Sequence, residues 1–171
     1  LPDLQVNFDL GWTDYKAWDQ FKFEFDRQIT ALKIAKLLSN HVTDNTLSIP
    51  LGFQSAWNWG IGVEYSATDR LKLRAGYEPR SSAIPDNKRN TLVPINNAQL
   101  FGLGLGYRFD ADSDIDLSVG FLRSRDNIPA NSSSLANVTG VDNLLLNPYA
   151  GLNVKTNTKV TILGLTYRTR W

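Results

Sequence analysis

Cysteine is missing from these 171 residues, and histidine occurs once, as His41. Thiol chemistry and disulfides are therefore excluded, and neither a histidine-based triad nor a zinc site can be assembled. A chain without thiols suits an oxidising envelope compartment. No run of about eighteen apolar residues occurs, and mean hydropathy is −0.27, which rules out membrane-crossing helices. The same figures leave a transmembrane barrel open, because its strands alternate apolar with polar residues. No sign of charge dominates either. Lysine and arginine number 18 against 17 acids, interspersed along the chain, so nothing marks a nucleic-acid partner. No basic stretch followed by an apolar one opens the sequence. Leu1-Pro2-Asp3 leads almost directly into a strand, the start expected of a mature chain or of part of a longer one.

What is present is period-two alternation, most clearly at the end. In 161–171, Leu163, Leu165, Tyr167 and Trp171 share one face of a strand, and Gly164, Thr166, Arg168 and Arg170 share the other. Five upstream segments repeat the pattern. Val6, Phe8, Leu10 and Trp12 form the first, and Trp57, Trp59, Ile61, Val63 and Tyr65 the second. Leu71, Leu73, Ala75 and Tyr77 form the third, and Phe101, Leu103, Leu105, Tyr107 and Phe109 the fourth. Ile115, Leu117, Val119 and Phe121 complete the set. The first pattern resumes as Phe21, Phe23 and Phe25 after a change of parity, which predicts either a bulge in one long strand or a separate extracellular ribbon.

Each segment is about ten residues, enough to cross a bilayer when tilted. Aromatics gather near the strand ends. Trp57, Tyr65, Tyr107, Phe109 and Trp171 are the candidates for membrane-interface girdles. Connections alternate too: 67–70 and 110–114 are short and polar, whereas 26–54, 81–98 and 126–158 are long. Short periplasmic turns and long extracellular loops are the rule for outer-membrane barrels. The fold class expected is therefore an all-β, antiparallel transmembrane barrel. Six strands cannot close, since such barrels start at about eight and an open edge in lipid leaves backbone groups unpaired. The whole chain, 1–171, is accordingly expected to be the C-terminal part of a larger barrel, unable to fold alone.

Several stretches then resemble one family. Phe53-Gln54-Ser55-Ala56-Trp57, Asp69-Arg70-Leu71-Lys72-Leu73-Arg74-Ala75-Gly76-Tyr77, Ser82-Ala83-Ile84-Pro85-Asp86-Asn87-Lys88-Arg89, Val93-Pro94, the glycine-rich strand at 101–109 and the strand at 116–121 are similar to the FadL/TodX outer-membrane transporters. The segment 10–21 continues the match. The resemblance implies a barrel of about fourteen strands with an N-terminal hatch, of which this chain would supply the last six. It implies passive uptake of long-chain fatty acids or other hydrophobic compounds, through an outer apolar site and a gap in the wall. Two positions depart from the family pattern. Asn96-Asn97-Ala98-Gln99 stands where an Asp-Arg pair is usual, and Ile49 where the fatty-acid transporters have lysine, which leaves room for neutral substrates.

Candidate sites follow. Residues 28–41 are predicted to contain a short helix with Ile29, Leu32, Ala35 and Leu38 on one side and Lys33 and Lys36 between. With Ile49 and Phe53 these four apolar residues form the candidate substrate-contacting set; the bland reading is a helix packed on the barrel rim. The inward charges Glu64, Lys72, Arg74, Glu78, Arg108, Asp116 and Arg168 are expected either to line a pathway or, more commonly, to hold neighbouring strands in register through lumenal salt bridges. Asp110-Ala111-Asp112-Ser113-Asp114 imitates a calcium loop but lacks its glycine and glutamate, so it is a solvated turn. Gly102-Leu103-Gly104-Leu105-Gly106 has the wrong spacing for a nucleotide fingerprint and makes room inside the barrel instead. No catalytic set, cofactor or metal is expected. The expected partners are a hydrophobic small molecule, outer-membrane lipids with lipopolysaccharide, and the barrel-assembly machinery through the last strand. A general porin, an anchor or adhesin, and an enzyme barrel are the competing readings.

Overall fold

The computed structural model describes residues 3–91, 96–139, 147 and 149–169. Eight strands follow in chain order: β1 (Leu4–Thr13), β2 (Gln20–Glu24), β3 (Thr46–Pro50), β4 (Ala56–Ser66), β5 (Leu71–Arg80), β6 (Ala98–Arg108), β7 (Ser113–Ile128) and β8 (Val154–Thr169). One helix, α1 (Thr30–Ala35), lies between β2 and β3. Six strands form a single antiparallel sheet in the order β1-β4-β5-β6-β7-β8, and β2 and β3 form a separate ribbon. Of the two possibilities for the parity change near Phe21, the ribbon is the one adopted, with Phe21 opposite Ile49.

The alternation works as expected because the register keeps like faces together. Phe8, Ile61, Tyr77, Phe101 and Phe121 stand in one cross-strand row, and Val63, Ala75, Leu103, Val119 and Leu163 in the next. This face is open to its surroundings. Leu163 is 79% exposed, and Phe8, Leu103 and Leu165 are exposed with it. A sheet that leaves so many large apolar side chains uncovered on one continuous face is built for lipid rather than water. The opposite face carries the glycines and charges.

Two differences from the sequence reading concern length. β7 and β8 run sixteen residues each, and their ladder continues from Arg123 opposite Lys159 to Ile128 opposite Val154. The loop expected at 126–158 therefore spans 129–153. The extra rungs are polar on both faces, so they give no apolar alternation to detect. The predicted helix at 28–41 is also shorter: α1 stops at Ala35, and Leu38 lies in the turn that follows.

All three long connections leave from one end of the sheet, and the two tight turns close the other. At the turn end the Asp112 N–H donates to Asp110 Oδ1 at 2.9 Å, which helps hold that carboxyl below the usual carboxylate range. At the loop end Leu51, Phe53 and Ile84 form a small core with Tyr15 and Phe21 against it. Leu51 is wholly buried. Gly52 has φ +65, and a Cβ there would lie 2.7 Å from Lys88 Cδ, so the bend from β3 into this core requires glycine.

Candidate functional site

The polar face of the sheet is the candidate lumen, and its lower half is a ladder of ion pairs. Glu64 on β4 accepts from Lys72 Nζ at 2.5 Å and from Arg74 Nε at 2.7 Å, both on β5. Arg74 also donates through Nη1 to Asp116 on β7 at 2.5 Å. Arg168 on β8 completes the run, donating to Asp116 and, at 2.8 Å, to Asp114. Six side chains on four strands are thus cross-linked. β6 lies between β5 and β7 and takes no part, because Gly104 and Gly106 leave the space that the Arg74 side chain crosses.

Above the ladder the side chains vanish. Gly62, Gly76, Gly102 and Gly120 are register partners on four successive strands. No neighbour demands that these positions be small: a Cβ on Gly102 would meet nothing within 4 Å, and on Gly62 and Gly76 it would make only ordinary contacts. The result is a shallow trough floored by backbone, with a cavity of about 620 Å³. Leu100 and Ile162 line it toward the loop end, with Leu122 and Val160 beside them on the lumenal side of β7 and β8, while Asp9 and Glu78 line it from β1 and β5. This inward apolar patch was not evident in the sequence. It interrupts the polar-inside rule, and alternation-based reading assigns such residues no role.

The other predicted residues fall as follows. Glu78 shares the lumenal face and accepts from Arg80 Nε at 2.8 Å. Arg108 is exposed at the turn end of β6. Trp57 pairs with Trp12 on the outer face, and Tyr65, Tyr107 and Phe109 sit near its turn end; Tyr107 and Phe109 meet edge to face at 5.3 Å. Trp171 lies outside the described residues. A second set of rings, Phe8, Trp59, Tyr77 and Phe101, forms a continuous chain of contacts toward the loop end.

The candidate contact set divides. Ile29, Leu32 and Ala35 are half-buried and Leu38 is exposed, while Ile34 and Leu37 between them are 62% and 78% exposed. Ile49 is half-buried on β3. Phe53 is buried, with Tyr15 and Trp18 meeting its ring edge to face at 6.2 Å each. The structure does not bring Phe53 and the exposed helix residues onto one open surface.

The mouth above the trough is fixed by polar contacts. Arg89 is nearly buried and pairs with Asp126 and, at 2.6 Å, with Asp86. The Asp126 hydrogen bond raises the Arg89 guanidinium above its ordinary value. Its backbone carbonyl accepts from Ser133 Oγ. Asn137, fully buried, donates to the carbonyls of Pro129 at 2.6 Å and Leu152 at 2.8 Å, and its Oδ1 accepts from the Ser133 N–H at 3.0 Å.

Comparison with known proteins adds what geometry alone does not. A family described as outer membrane protein transport protein (OMPP1/FadL/TodX) matches residues 2–171. A long-chain fatty acid transport protein of Salmonella typhi is 23% identical over 124 residues, covering 72% of this chain and 25% of that protein. A 47 kDa outer membrane protein of Pasteurella multocida is 26% identical over 137 residues, covering 75% of this chain and 32% of that protein. The chain thus spans between a quarter and a third of these curated relatives. The crystal structure of a Pseudomonas aeruginosa FadL homologue superposes with a TM-score of 0.58 over 98% of this chain and 32% of that one, at 16% identity.

Proposed function

The chain belongs to the OMPP1/FadL/TodX family of outer membrane transport proteins, and from that premise we propose that it forms part of the wall of a channel for passive uptake of hydrophobic compounds. Its location is the bacterial outer membrane, where no nucleotide drives transport. The observation that carries the reading is the glycine-floored trough bordered by Leu100, Leu122 and Ile162. Bare backbone strands give a slender apolar molecule a smooth surface without side chains to displace, and the apolar border lowers the cost of leaving an outer site. A general porin would need a wet, charged passage along its whole length. Here the ladder at the turn end is internally neutralised, and the trough above it has acidic side chains, Asp9 and Glu78, only on its β1 and β5 side.

Capture is assigned to the outer surface formed by Ile34 and Leu37, with Lys33 and Lys36 flanking. Ile29, Leu32 and Ala35 support it from beneath, Leu38 extends it, and Ile49 and Phe53 hold the ribbon that presents it. The ladder from Lys72 to Arg168 keeps strands in register. The last strand serves recognition by the barrel-assembly machinery, and the outer face meets membrane lipids.

Ile49 stands where the fatty-acid transporters that this chain resembles have lysine, which favours neutral hydrocarbons over carboxylates at that position. The test is uptake by cells that lack their own transporter and express this protein. Labelled toluene is expected to accumulate above control, and oleate less strongly. If neither enters although the barrel is folded in the membrane, the transport reading fails.

A further inference from the structure

Beyond the ring of aromatics at the loop end, the outer face of β7 and β8 turns from apolar to cationic. Arg123 and Arg125 on β7 share the face of Phe121, and Lys155 and Lys159 on β8 share the face of Leu163. All four are exposed. Arg123 stands directly opposite Lys159 in the ladder. Like charges so placed repel and cost the sheet stability, a cost that an anion bound from outside would relieve. Among the described residues no carboxylate pairs with any of the four. The chain does not lack acids, since it has 17; on the lumenal face Lys72 is answered by one, and Arg74 and Arg168 by two each. On this patch the cross-strand neighbours are neutral: Gln99 beside Arg123, Asn157 beside Arg125 and Asn127 beside Lys155. A groove of about 540 Å³, bounded in part by Pro79, Asn97 and Gln99, opens next to the two arginines.

We propose that this patch binds the phosphate groups of the outer leaflet's glycolipid, lipopolysaccharide. The placement selects the ligand. Arg123 lies two residues beyond Phe121, about 7 Å along the strand, and Lys155 six residues beyond Thr161, about 20 Å. Cations therefore begin where the lipid-facing aromatics stop, the level of headgroup phosphates. The acyl chains of the same molecule would lie on Phe101, Phe121 and Leu163 immediately below. Arginine's planar fork suits bidentate phosphate contact, and the neighbouring amides supply further donors. A dissolved anion would account for the cations but not for their continuity with an apolar wall. The inference deepens the lipid contact assigned above. It rests on the long loops facing outward and is independent of what is transported.

The experiment uses the protein extracted from outer membranes in mild detergent, with retained lipid A counted by native mass spectrometry. Wild type should retain bisphosphorylated lipid A, and Arg123→Gln/Arg125→Gln/Lys155→Gln/Lys159→Gln should retain on the order of tenfold less. Arg123→Lys/Arg125→Lys, which keeps the charge but loses the fork, should retain more than the glutamine variant and less than wild type, and retention as low as the glutamine variant's would overturn the role of charge. Equal retention by the glutamine variant overturns the proposal. So does equal retention of dephosphorylated lipid A by wild type, a comparison that needs no variant to fold, and so does displacement of lipid A by millimolar inorganic phosphate. Lys155→Cys should be labelled by an impermeant maleimide on intact cells, and failure to label would overturn the orientation and the site with it. Oleate or toluene uptake measured alongside separates loss of this site from loss of transport.

Discussion

Arg74 on β5 reaches Asp116 on β7 across the width of an intervening strand, passing the place where Gly106 has no side chain. A Cβ at Gly106 would lie 2.7 Å from Asp116 Oδ1 and 3.1 Å from Arg74 Nη1. The glycine is therefore what connects two strands that do not touch. Gly106→Ala should displace the pair and lower stability by about 1 kcal/mol once solvent screening is allowed for. The urea midpoint of the folded protein in lipid vesicles measures it. Gly102→Ala, where the new methyl meets nothing, should be neutral or stabilising by about 0.5 kcal/mol.

The trough makes a different prediction, about rate instead of stability. Gly76→Leu and Gly102→Leu place branched side chains on the open floor without touching the ion-pair ladder. Uptake of a labelled hydrophobic compound should fall several-fold in each, with heat-modifiable gel migration unchanged. Unaltered uptake in the double variant would remove the trough from the route.

On the outer face, Leu163 sits in the row midway between the aromatic ends and is 79% exposed to what we assign as lipid. Leu163→Arg should destabilise the folded barrel by about 2–4 kcal/mol. The neighbouring lumenal change Gly164→Ser, whose Cβ would lie 2.4 Å from the Ser118 hydroxyl and need only turn it aside, should cost less. Folding equilibria in vesicles would distinguish them, and a tolerated Leu163→Arg would contradict the lipid assignment.

Capture by the loop helix predicts a concentration effect. Ile34→Ser/Leu37→Ser removes the two most exposed apolar side chains of that region while leaving the half-buried Ile29 and Leu32 in place. Uptake should drop at low substrate and recover at high substrate. A uniform drop at all concentrations would instead indicate damage to the passage.

Asn137→Ala would orphan the carbonyls of Pro129 and Leu152, both accepting from its amide. About 1–3 kcal/mol of local stability should be lost, seen as faster proteolysis within 129–153 and not in the sheet.

The strands were legible wherever one face was apolar and the other polar, which is why Trp57 to Tyr65 and Phe101 to Tyr107 emerged with the right faces. Legibility failed where that contrast failed. Arg123 to Ile128 and Val154 to Val160 are polar enough on both sides to read as loop, yet their backbones pair for six more rungs. β3 is five residues long and depends on β2 for its existence. Which inward charges pair could not be read, since Arg74 skips a strand, and pairing across β6 depends on the register of three strands at once. The apolar border at Leu100 and Ile162 stayed hidden for the opposite reason: it breaks the alternation that revealed everything else.

The long connections are tied to one another as well as to the sheet. The Gln54 N–H donates to Ala83 O at 2.6 Å, Leu51 and Ile84 share a core, and the Ser134 N–H donates to Asn87 O at 3.0 Å. Such a cap has no interchangeable parts. A single loop transplanted from a relative would arrive without the two neighbours that hold its shape, so any attempt to move specificity between members of this family by loop exchange must carry all three together.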